Sequence, residues 1–95
     1  TLTVKNPSTE PIKVTFPSSQ KYDFVVTDST TGRDVWRWSA NKSFFMALVD
    51  QTVPANGSLV FTEQWKPLGR GRYLVHGVLV SLSHRAEAYA SVIVP

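Results

Sequence analysis

Apolar and polar residues alternate with a period of two along most of this chain, the spacing of β-strands whose successive side chains point to opposite faces. The clearest instance runs from Gln20 to Ser39. Tyr22, Phe24 and Val26 alternate there with Asp23, Val25 and Thr27. Ser29, Thr30, Thr31 and Gly32 then supply turn chemistry, Gly32 being free to take positive φ. Val35 to Trp38 forms a second, aromatic-rich run in which Trp36 and Trp38 share one face. A hairpin carrying Tyr22, Phe24, Trp36 and Trp38 sets several large rings in one layer, and other strands must cover that layer.

The same alternation recurs on both sides. Leu2 and Val4 mark a first strand, ended by Asn6-Pro7-Ser8 because proline cannot donate to a ladder. Ile12, Val14 and Phe16 mark a second, broken by Pro17-Ser18-Ser19. From Asn41 to Asp50 the pattern fails: Phe44, Phe45, Met46, Ala47, Leu48 and Val49 are continuous and apolar, which fits a short helical turn or a covered loop. Gln51 to Val53 reads as a short edge strand. Pro54-Ala55-Asn56-Gly57 is a turn signal, and Ser58 to Trp65 reads as the next strand. Arg72 to Leu82 is a long one, in which Gly77 marks a bulge or a close backbone approach. Tyr89 to Val94 closes the series. Seven or eight short strands at a spacing of about ten residues predict an all-β, immunoglobulin-like antiparallel β-sandwich. Gly71-Arg72-Tyr73 is placed to form a tyrosine corner. Phe16, Tyr22, Phe24, Trp36, Phe61 and Val75 are the expected core.

Length and charge narrow the picture. Ninety-five residues predict one domain spanning 1–95. The net charge is +3, but the ten basic residues are scattered among apolar ones rather than gathered into a stripe, so no nucleic-acid partner is expected. No run is long enough for a membrane-spanning helix. The absence of cysteine removes disulfides and thiolate metal sites.

Chemistry is sparse. His76 and His84 have no carboxylate at ligand spacing, and no HExxH is present, so no metal site is expected. No serine sits in G-x-S-x-G. Gly69-Arg70-Gly71 lacks the Lys-Ser/Thr of a phosphate loop. Asp23 and Asp34 lie on the central hairpin, where they pair structurally with Lys21 or Arg37 across strands. The reading is therefore a domain that is not an enzyme and needs no cofactor, and such sandwiches bind other proteins.

One resemblance extends this. The segments SSQKYDFVVTD, GRDVWRWS, FF, NGSLVFTEQW and GRYLVHG occur here in that order, from about Val4 to about Gly77. The series, which continues more loosely to the end of the chain, resembles the BsuPI-type intracellular proteinase inhibitors, small all-β bacterial proteins. The resemblance implies a protein that binds and inhibits a subtilisin-like serine protease and resides in the cytoplasm. The start at Thr1 leaves open a removed leader or a larger secreted parent. A non-catalytic sandwich module for protein–protein contact or structural assembly is the alternative reading.

An inhibitor must offer a short, exposed, restrained segment with an anchor side chain. Two segments qualify. Asn41 to Met46 contributes Lys42, Ser43, Phe44 and Phe45 as candidate contacts. Lys66 to Gly71 contributes Leu68, beside the restricting Pro67. Adjacent aromatics in an extended segment cannot both point inward, so one of Phe44 and Phe45 is expected in the core and the other exposed.

Overall fold

A computed structural model of the chain describes residues 1–67 and 69–95. Nearly half of these residues lie in eight strands. They are β1 (Leu2–Lys5), β2 (Ile12–Phe16), β3 (Tyr22–Asp28), β4 (Asp34–Arg37), β5 (Val49–Val53), β6 (Ser58–Phe61), β7 (Gly71–Leu79) and β8 (Glu87–Val94). Every pairing is antiparallel: β1 with β6, β2 with β5, and a four-stranded sheet in the order β4-β3-β7-β8. Among the described residues a single 3₁₀ turn, Trp38–Asn41, is the only helical element.

The two short ladders pack over the larger sheet, and the result is the expected all-β sandwich. Val14, Phe16, Val53, Leu59 and Leu79 form one buried cluster drawn from β2, β5, β6 and β7. Leu2, Phe24 and Val26 are buried beside it. Gly77 of β7 lies opposite Phe24 of β3. A Cβ at Gly77 would stand 3.1 Å from the Phe24 ring and 3.5 Å from Leu2. The glycine therefore marks a close approach, which leaves room for the Phe24 ring beside it.

Local chemistry sets the turns as the sequence implied. Gly32 takes φ 75° in the β3–β4 turn, and its N–H donates to the Asp28 carbonyl at 2.8 Å. Asn56 takes φ 58° in the turn before β6, a conformation that asparagine tolerates better than most residues. The Tyr73 hydroxyl donates to the Gly69 carbonyl at 3.0 Å, which makes the tyrosine corner.

Several expectations need correcting. The second strand of the hairpin stops at Arg37, and Trp38 opens the 3₁₀ turn instead of ending a strand. The strand begun at Ser58 stops at Phe61, and β7 stops at Leu79. Past Val80, whose N–H still donates to the Lys21 carbonyl at 2.9 Å, the chain leaves the large sheet and runs beside β2, where the Leu82 N–H donates to the Thr15 carbonyl at 2.8 Å. Phe16 and Phe24 are buried, but Tyr22, Trp36, Phe61 and Val75 are only half-buried. The cause is incomplete cover. Trp36 and Val75 face an open groove of about 300 Å³ that Leu2, Glu63, Trp65, Ala88 and Ala90 also line. A radius of gyration of 15.0 Å, against about 12 Å for a compact chain of this length, reflects an elongated shape with principal extents of 44 × 29 × 19 Å.

Candidate functional site

The central feature is the segment between β4 and β5, together with the aromatic stack that supports it. The Tyr22 ring is sandwiched between Trp38 at 4.5 Å and Phe61 at 4.6 Å, both stacked, and meets Phe24 edge-on at 5.7 Å. Such contacts add about 0.5–1.5 kcal/mol each beyond the area they bury. The Tyr22 hydroxyl donates to Glu63 Oε1. Burial pushes this phenol up to about 12, and both the hydrogen bond to Glu63 and the Glu63 charge push in the same direction.

Asp23 fixes the path of the chain beyond β4. Its carboxylate is buried and accepts the Phe24 N–H at 2.9 Å, the Ser39 N–H at 3.2 Å and the Ser39 hydroxyl at 2.5 Å. Arg37 lies 3.6 Å away on the exposed side and 3.5 Å from Asp34. Of the two cations expected near these carboxylates, Arg37 is the one that pairs with them. Lys21 donates instead to Gln51 at 2.8 Å. Asp23 thus staples the 3₁₀ turn onto β3, and the turn delivers the chain to Lys42.

From Lys42 to Leu48 there is no regular structure, yet the backbone is tied down. The Lys42 N–H donates to the Ser39 carbonyl at 3.1 Å. The Lys42 ammonium sits 4.9 Å over the Trp38 ring, and Phe44 packs against the same ring at 5.8 Å. At Phe45 both backbone groups are held by Ser19: the Phe45 N–H donates to Ser19 Oγ at 2.8 Å, and the Ser19 N–H donates to the Phe45 carbonyl at 2.9 Å. The side chains then project freely. Phe45 is 83% exposed, Met46 88% and Leu48 71%. The apolar run that pattern alone left as a helical turn or a covered loop is neither. Between Phe44, which packs on Trp38, and Val49, which opens β5, it is an uncovered loop.

The sequence-derived candidates separate accordingly. Lys42 and Phe44 meet at Trp38. Ser43 is exposed between them, and Phe45 points away on its pinned backbone. Leu68 lies outside the described residues. Two residues outside the sequence-derived candidates belong to the loop's account: Ser19, which holds its backbone, and Leu48, which adds to its exposed apolar surface. Nothing local marks Ser19, which lies 26 residues from the backbone it grips. Elsewhere, His76 meets Glu87 at 2.9 Å and stacks on Tyr89 at 4.3 Å. His84 is exposed in a turn, against Ser83 Oγ at 2.8 Å. Among the described residues no three His, Cys, Asp or Glu side chains converge as metal ligands, and no helix is long and apolar enough to cross a membrane.

Fold and loop together define a small antiparallel β-sandwich that presents a backbone-restrained apolar loop. Residues 1–84 match the family of intracellular proteinase inhibitors known as BsuPI, and the chain belongs to that family. Membership implies proteinase inhibition as the activity and a protease as the partner. No curated protein matches the chain. The match ends at His84, so β8 lies beyond it.

Proposed function

We propose that this protein inhibits a subtilisin-like serine protease by inserting the Lys42–Leu48 loop into the protease cleft, with Phe45 as the anchor side chain. The observation that carries this reading is the combination at Phe45: a ring left almost wholly in water, on a backbone whose N–H and carbonyl are both hydrogen-bonded to Ser19. Clustered exposed apolar side chains mark interaction sites on soluble proteins. A loop already fixed in its bound shape loses little entropy on docking, so more of the contact energy appears as affinity. A large apolar anchor suits this class of protease, whose members accept large apolar side chains. Lys42, Ser43 and Met46 flank the anchor, Phe44 holds the base of the loop through Trp38, and the protein resides in the cytoplasm with its target. Leu68 would take over as anchor should the β4–β5 loop prove silent.

The test is peptide hydrolysis by a panel of subtilisin-like, chymotrypsin-like, cysteine and metallo proteases, with and without the protein. Inhibition concentrated on the subtilisin-like members is expected. Inhibition of another class alone, or of none, contradicts the proposal.

A further inference from the structure

The two edges of the four-stranded sheet are built differently. At the β4 edge the ladder is short, its register with β3 shifts between Val26 and Thr27, and Asp34 and Arg37 line it with charge. Shifts and charges of this kind keep an edge from pairing with another chain. At the β8 edge these devices are absent beyond Glu87 at its start. Its register with β7 runs uninterrupted from Val78–Glu87 to Gly71–Val94. Between Ala88 and Val94 it carries no charge and no proline. Tyr89 is 59% exposed and Ile93 69%, and β8 has no second neighbour among the described strands. Its one charge, Glu87, is held by His76.

We propose that β8 pairs with β8 of a second copy of this chain, antiparallel and about a two-fold axis, joining two four-stranded sheets into one. The strand itself selects this occupant and its register. Keeping inner faces together requires residues of like parity to oppose each other. With Ser91 on the axis, Tyr89 faces the partner's Ile93, Ala90 faces the partner's Val92, and Ala88 faces the partner's Val94. Every pair but the central one is apolar, aromatic–β-branched pairs being among the favoured combinations. Both copies of Glu87 fall outside the overlap, so no like charges meet. A shift that puts Ala90 on the axis sets Glu87 against the partner's Ile93 instead, and leaves Tyr89 opposite serine.

The pairing leaves the Phe45 loop free in both copies. That loop leaves β4, the opposite edge of the sheet. The pairing also uses a strand that lies beyond the residues matching the family.

Sedimentation velocity of the full chain from ~10 µM to ~1 mM tests it, a range suited to an interface of small area. The expected result is a mass rising from 10.6 kDa toward twice that value. Ser91 is exposed, so Ser91→Lys and Ser91→Asp leave the monomer folded with unchanged melting, yet each places like charges face to face on the axis. Each variant alone is expected to stay monomeric, and an equimolar mixture of the two to recover the dimer. A wild type that stays monomeric throughout, a dimer indifferent to both variants, or a mixture that stays monomeric overturns the proposal. An association that appears only with a different protein at this edge overturns it as well.

Discussion

Phe44 and Phe45 are neighbours of identical chemistry with opposite roles, and they divide the molecule into two regions. On the Phe44 side, side chains are held by side chains. Trp38, Tyr22, Phe61 and Phe24 form a stack fed by a 3₁₀ turn, β3 and β6, with Asp23 stapling the turn in place. On the Phe45 side only the backbone is held, through Ser19, and the side chains face water. The first arrangement converts apolar area into fold stability. The second contributes almost nothing to folding and keeps its apolar area for a partner. Mutation should therefore separate the two regions cleanly, with stability lost on one side and binding on the other.

The largest stability effect belongs at the centre of the stack. Trp38→Ala removes the ring that Tyr22, Phe44 and Lys42 all contact and should cost about 3 kcal/mol, near the lower end of aromatic truncations because the ring is half-buried. Chemical denaturation checks it; a loss under about 1 kcal/mol would mean that the stack is ornamental. Asp23→Ala comes next, at about 1.5–3 kcal/mol for lost hydrogen bonds to a buried charge. It should also loosen the turn, so that Ser39 exchanges its amide hydrogen faster. Unchanged exchange at Ser39 would remove Asp23 as the staple.

A smaller effect is tied to pH. Because the Tyr22 phenol is pushed up to about 12 in the folded state, its stabilising contribution is complete below the ordinary tyrosine value of about 10. It is then lost as pH rises through about 12, where the folded protein must ionise a group held neutral. Tyr22→Phe should flatten that alkaline decline. Glu63→Gln should bring the phenol only part of the way back, since burial is the larger cause. Spectrophotometric titration near 295 nm, a tyrosinate band, reads both; a full return to about 10 in Glu63→Gln would assign the shift to the carboxylate instead. Smaller still for stability is Ser19→Ala. It should barely move the melting temperature but weaken inhibition several-fold, by freeing the Phe45 amide and raising the ordering cost of docking. Inhibition at wild-type strength would show that the pin is dispensable.

The parts of this picture that were legible in the sequence are those governed by near neighbours. Alternation located the strands, Gly32 and Asn56 located turns, and Gly77 and Tyr73 signalled a close approach and a corner through residue types that few other geometries need. The rest depends on distant meetings. Trp38 reads as a strand residue until Asp23 captures Ser39, 16 residues away. Trp36 and Val75 lie on the apolar parity of their strands, yet parity cannot say where the covering layer ends and the groove begins. Asn6, read only as the end of a strand, is buried and donates to the carbonyls of Glu10, Val53 and Pro54 at 2.9–3.1 Å, tying the first turn to the end of β5. For the loop, adjacency required Phe44 and Phe45 to part company, but which of them turned outward was decided by Ser19 and Trp38.

The most direct measurement sets inhibition beside melting temperature for Phe44→Ala and Phe45→Ala, each against a susceptible subtilisin-like protease. Phe45→Ala should melt with wild-type protein, within about 0.5 kcal/mol as for a surface change. Its inhibition should weaken by about 30-fold or more, the loss of an anchor worth about 2 kcal/mol. Phe44→Ala should lose stability, and its inhibition should fall less. If Phe45→Ala inhibits as well as wild type, the loop is not the contact and the division between the two regions carries no functional meaning.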